Sequence, residues 1–121
     1  MQIDMQKALA QIEFANREQN RFHTAYEKEV EFYEAVKKGE VEEALRMMSP
    51  FDADGLGVLS EDRLRNLKYH LIITVAFITR YCIEGGMEME AAYNLSDIYI
   101  RSIDKCRTED EINLLHHEVV D

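Results

Sequence analysis

Between Ser60 and Glu84 apolar side chains fall on almost every side of the chain. Leu64, Leu67, Leu71, Val75, Ile78 and Cys82 recur at spacings of three and four, the period of one helical face. Ile72, Ile73, Ala76, Phe77 and Ile83 fill other sides. A helix that is apolar nearly all round has to be buried, so the remaining chain must supply enough elements to surround it. The β-branched run Ile72–Val75 also reads as a strand. Helix is preferred because the period continues on both sides and no partner strand exists. At about 1.5 Å per residue the helix spans a small domain. Its longest apolar run, Leu71–Ile78, is broken by Thr74 and falls well short of the roughly 20 residues that cross a bilayer.

The surrounding elements also read as helices. The breakers are Pro50 and five glycines, Gly39, Gly55, Gly57, Gly85 and Gly86, and they cluster in three places. A first helix spans about 4–20, with Met5, Ala8, Leu9 and Ile12 on one face and Phe14 off it, placed for a partner. A second spans about 25–38, with Tyr26, Val30, Tyr33 and Val36 as the inward stripe. Lys37 and Lys38 suit its negative end, and Gly39 supplies a left-handed cap. A third, 41–48, buries Val41, Ala44, Leu45 and Met48. Ser60 reads as the N-cap of the long helix, and Gly85-Gly86 ends it. A short helix at 89–93 and another at 96–106, capped by Ser96 with Asp97 in its first turn, follow. Ile98, Tyr99, Ser102, Ile103 and Cys106 face inward. Thr108 and Glu111 form a capping box for a last helix with Ile112, Leu115 and Val119 on one face. The expectation is an all-α, single-domain bundle of six or seven helices around a long buried central helix at 60–84.

The 121 residues suit one domain. With 14 basic and 24 acidic residues the formal charge is −10, spread evenly along the chain. Such a surface lacks the basic footprint that gripping nucleic acid requires. The first residues lack the apolar stretch of a signal peptide, and two cysteines without a CxxC pattern point to reduced thiols in a cytoplasmic protein.

Few constellations carry chemistry. Asp52, Asp54, Gly55, Gly57 and Glu61 resemble a calcium loop, but in one register the first ligand position is Pro50 and in the other the twelfth is Arg63. A turn capping the central helix fits better. His116 and His117 point about 100° apart on a helix, so they read as solvated surface and hold no metal. His23 and His70 read as structural. Cys82 and Cys106 read as core residues without a base beside them, and nothing positions a nucleophile, so no enzyme and no cofactor are expected. Tyr26, Tyr33, Tyr69, Tyr81 and Tyr99, with His70, are candidates to line a ligand cavity, of which Tyr26, His70 and Tyr81 are the chosen set. Arg63, Arg65, Lys68 and Arg80 occur in a stretch without an acid. The first two sit near a helix N-terminus, which disfavours cations. They need carboxylates from within the domain or a partner, so Arg63, Arg65 and Lys68 are the candidate partner-contact residues.

Several stretches resemble the helical domain that precedes the paired helix-turn-helix region of bacterial AraC-type transcriptional regulators. They are Leu64-Arg65-Asn66-Leu67-Lys68, Thr79-Arg80, Ile83-Glu84-Gly85-Gly86 and Ala92-Tyr93-Asn94-Leu95-Ser96-Asp97-Ile98-Tyr99-Ile100, with Tyr26-Glu27-Lys28-Glu29 and residues 35–44 upstream. Asn66, Arg80, Gly85, Gly86, Ser96 and Asp97 carry much of it. The resemblance implies a regulatory and dimerising domain whose helix-turn-helix partner lies beyond Asp121, so that DNA is bound only by the longer protein. It implies a homodimer, since paired half-sites need two reading units. A small-molecule effector and a stand-alone acidic adaptor for a protein partner are the alternatives; no membrane contact is expected.

Overall fold

A computed structural model describes residues 2–19, 26–48 and 57–120. Among these the chain forms six α-helices and no strand: α1 (Met5–Glu18), α2 (Tyr26–Lys38), α3 (Val41–Met47), α4 (Arg63–Glu84), α5 (Met89–Lys105) and α6 (Glu109–Val120). The Asp52–Asp54 pattern, His23, and the start of the second helix at residue 25 lie outside the described residues.

α4 touches α2, α5 and α6, and α3 closes against α2 and α6. Its buried row is Leu67, Leu71, Val75 and Thr79, spaced by four along one face. Leu67, Leu71 and Val75 meet Ile103, Cys106 and Ile112 in one cluster, with Leu64, Ile72, Tyr99, Ile100, Leu115 and Val119 packed round it. A second cluster joins Ala35, Ala44 and Val120, with Phe32, Val36, Leu45, Met48 and Ile78 against it. The expectation of burial all round α4 is corrected: Tyr69, Ile73 and Phe77 form an exposed row. The three helices packed on α4 are too few to cover every side, and α1 contributes no buried residue at all.

Two inward faces are rotated from their expected positions. On α2 Ala35 is buried and Phe32, Tyr33 and Val36 are half-buried, whereas Tyr26 and Val30 are exposed. Residue size misled here, because the close α2–α3 contact selects the small Ala35 and Ala44. On α5 the row is Ala92, Ser96 and Ile103, and Ile98 is exposed.

Helix ends follow from local chemistry. α4 starts two residues later than Ser60 implies, because Asp62 is the N-cap and its carboxylate accepts the Arg65 N–H at 3.0 Å. The two helices expected at 89–93 and 96–106 are a single α5. Its cap is Glu88, which accepts the amides of Glu90 and Ala91. Ser96 therefore lies inside the helix and Asp97 on its exposed side, not at a new start. Polar residues with cap preference are also tolerated mid-helix when the flanking turns pack. At α6 the Glu111 amide donates to Thr108 Oγ1 at 3.2 Å, while the Glu111 carboxylate accepts from Arg107, one residue before the usual capping-box partner.

α2 and α4 end alike. Gly39 (φ 74°) and Gly86 (φ 116°) are left-handed. The amides of Gly39 and Glu40 reach Val36 and Ala35 oxygens, and those of Gly86 and Met87 reach Ile83 and Cys82 oxygens. Both are Schellman closures. Gly85 serves another purpose: a Cβ there would stand 2.1 Å from the Lys37 carbonyl oxygen. Its bare Cα lets the C-terminal ends of α2 and α4 meet.

Candidate functional site: a cavity between the helices

The two clusters on α4 do not merge. Between the alanine-based cluster and α5 lies a cavity of about 300 Å³. α2 and α3 supply Ala35, Val36, Gly39, Val41 and Ala44, and α4 supplies Val75, Ile78, Thr79 and Cys82. α5 supplies Ala92, Leu95, Ser96 and Tyr99, and α6 closes one side with Val119 and Val120. The cavity exists because small residues face one another. Ala35, Ala44 and Ala92 are each almost fully buried yet fill little volume.

Three polar groups lie on this wall. Thr79 Oγ1 donates to the Val75 carbonyl oxygen at 2.7 Å, within its own helix. Ser96 is only 7% exposed, and its hydroxyl has no hydrogen-bond partner among the described residues. A buried unpartnered hydroxyl costs about 1–3 kcal/mol, which marks Ser96 as the polar anomaly of the site. The Cys82 thiol is half-buried, and burial pushes its pKa up, so it stays protonated and is a poor nucleophile. Glu40 and Glu118 also border the cavity, and both are exposed.

The sequence-chosen ligand set does not assemble here. Tyr26 is 73% exposed on the first turn of α2. Tyr81 stacks on Tyr33 with ring centroids 5.1 Å apart, and Tyr33 also meets Phe77 at 5.5 Å. Burial raises the Tyr33 pKa to about 12, so this aromatic group packs α2 on α4 as neutral rings. His70 Nε2 lies 2.6 Å from the Gly57 carbonyl oxygen. Of the five tyrosines only Tyr99 borders the cavity.

The basic residues are largely engaged within the domain. Arg63 pairs with Glu109, tying α4 to α6. Lys68 Nζ donates to the Asp104 carbonyl oxygen at 2.9 Å. Arg80 donates to the Ala76 oxygen at 3.1 Å and lies over the Tyr93 ring at 5.5 Å. Arg65 and Lys68 border a second, shallower hollow of about 620 Å³ with Arg101, Asp62 and Asp104. Mixed charges and exposed walls leave it without a defined preference. Asn66 acts on backbone: its Oδ1 accepts the amides of Leu59 and Ser60 at 2.6 and 3.1 Å, and Nδ2 faces the Gly57 oxygen at 3.4 Å.

His116 overturns the surface reading. It is 4% exposed, on the row Ile112–His116–Val120 that α6 turns inward. Burial first, and the charge of neighbouring His117 second, hold its pKa down to about 4. Spacing from Ile112 and Val120 carried the signal, but the adjacent histidine made the pair look polar. Among the described residues no group of His, Cys, Asp and Glu is placed to hold a metal, and no helix is long and apolar enough to cross a membrane. No family model, curated protein or solved structure matches the chain.

Proposed function

We propose that the chain is the regulatory and dimerising domain of an AraC-type transcription regulator, acting in the cytoplasm and not itself binding DNA specifically. One observation carries this reading. Stretches that resemble that family but lie far apart in sequence converge on one cavity: residues 35–44 through Ala35, Val36, Gly39 and Ala44, Thr79 alone, and residues 92–100 through Ala92, Leu95, Ser96 and Tyr99. Shared residues that surround a cavity fit a domain whose packing responds to a signal. Arg63, Lys68 and Arg80 are engaged at the surface by Glu109, the Asp104 carbonyl and the Tyr93 ring, and a net charge of −10 repels phosphate.

The test has two parts. The coding sequence after Asp121 is expected to specify a paired helix-turn-helix, and a reading frame without one would sink the proposal. The domain's solution mass by sedimentation is expected to be twice the 14.2 kDa of one chain. A monomer at all concentrations would remove dimerisation from it.

A second reading has its own support. α1 presents Met5, Leu9, Ile12 and Phe14 outward, and α6 presents Leu114. Such apolar faces suit a stand-alone adaptor docking on another protein. A native chain that stops near Asp121 would favour that adaptor.

A further inference from the structure

We propose that the cavity between α2, α3, α4 and α5 is a binding site for a small, mostly apolar molecule carrying one uncharged hydrogen-bonding group, with Ser96 as the residue that reads that group. The site stands or falls independently of any helix-turn-helix region. Its volume of about 300 Å³ lies at the lower end of ligand pockets, roughly 300–1,000 Å³. Its wall is apolar, built from Ala35, Ala44, Val75, Ile78 and Ala92, which selects an apolar body.

Two observations specify the head group. The Ser96 hydroxyl is nine-tenths buried, borders the cavity and has no partner among the described residues. A hydroxyl both donates and accepts, so an alcohol or carbonyl oxygen satisfies it. Thr79 has committed its proton to Val75, which leaves Ser96 as the free donor of the pair. Glu40 and Glu118 stand at the border, and neither forms an ion pair among the described residues. Two uncompensated carboxylates disfavour a ligand that brings a third. The ligand class is therefore a neutral alcohol or carbonyl compound on a compact aliphatic or aromatic body; carboxylates are rejected.

Three probes share one body and differ in the head: ethylbenzene, 2-phenylethanol and 3-phenylpropionate. Binding to the 121-residue chain is followed by amide chemical shifts and by the rise in thermal midpoint. 2-Phenylethanol is expected to bind, shifting amides at Ala44, Thr79 and Ala92. Ethylbenzene is expected to bind about five- to tenfold more weakly, the worth of one hydrogen bond. 3-Phenylpropionate is expected to cause no change. Ser96→Ala is expected to lower 2-phenylethanol affinity to that of ethylbenzene while leaving ethylbenzene unaffected, a split that mere loosening of the fold cannot produce. Ala92→Leu is expected to fill the cavity and abolish both; if that variant does not fold, the Ser96→Ala comparison still decides. Failure of every probe to bind, equal 2-phenylethanol affinity in the wild type and Ser96→Ala, or tight binding of the carboxylate would each overturn the proposal.

Discussion

α4 runs past two cores that differ in one respect. Toward its start it meets Ile103 and Ile112, and Leu71, Ile103 and Ile112 are completely buried. Toward its end it meets Ala35 and Ala44. Both cores exclude water from their central side chains, but the cavity opens beside the alanines of the second, with Val75, Tyr99 and Val119 of the first on its far wall. Branched side chains of matched size interdigitate at crystal-like density, whereas facing alanines bring backbones close and leave a gap beside them. Burial and filling are thus separate properties, and the unfilled core is where a ligand can be held without unfolding anything.

The sharpest way to break this comparison is to cut the same helix in each core. Leu71→Ala should cost about 3–5 kcal/mol, as large truncations do in filled cores. Ile78→Ala, at a side chain that is only half-buried on the cavity wall, should cost about 1–2 kcal/mol because less apolar surface returns to water. Urea unfolding midpoints at constant slope decide, and equal losses would erase the distinction.

His116 sits on the seam, one turn from Ile112 and one from Val120. Its pKa is about 4 when folded against 6.5 as its ordinary value. The unfolded chain therefore binds more protons between these pH values, so stability falls as pH drops through the window and is undiminished above it. The loss should approach about 3 kcal/mol by pH 4. His116→Gln should flatten the dependence between pH 6.5 and 4 relative to the wild type; identical slopes would refute the assignment.

Gly85 tests the closure of the sparse core. Gly85→Ala places a methyl against the Lys37 carbonyl and should cost about 2 kcal/mol, within the range for overpacking. Removing the Lys37–Glu84 ion pair at the same junction, 3.8 Å long and exposed, should cost at most about 0.5 kcal/mol. Thermal melts of Gly85→Ala and Lys37→Met would separate steric from ionic closure.

The smallest effect belongs to the element outside both cores. Ile12→Ser on α1 should change stability by less than about 0.5 kcal/mol, because α1 buries nothing. A large change in the unfolding midpoint that scales with protein concentration would reveal that a second chain covers this helix.

The helical class was legible because the three-and-four spacing on α4 and the Gly39 and Gly85-Gly86 stops are local signals. The cavity was not legible. Its walls are alanines, which carry no periodic signal against a background of larger residues, and Ser96 advertised a helix start it does not make. Tyr26 and Tyr81 drew attention by size, but an exposed first turn and a stack with Tyr33 took them elsewhere. Gly85 was legible as a breaker, yet only the meeting of two helices reveals that its missing side chain matters more than its backbone freedom.

His116 and His70 hold different parts of the fold. His116 is buried as a neutral ring and loses its place when it gains a proton. His70 holds the Gly57 carbonyl through Nε2, which donates because a carbonyl oxygen only accepts. Together with Asn66, which gathers the amides of Leu59 and Ser60, it moors the incoming chain to the first turns of α4. Acid should therefore act on the protein through α6, the helix that carries His116, so that loosening starts at the C-terminal helix.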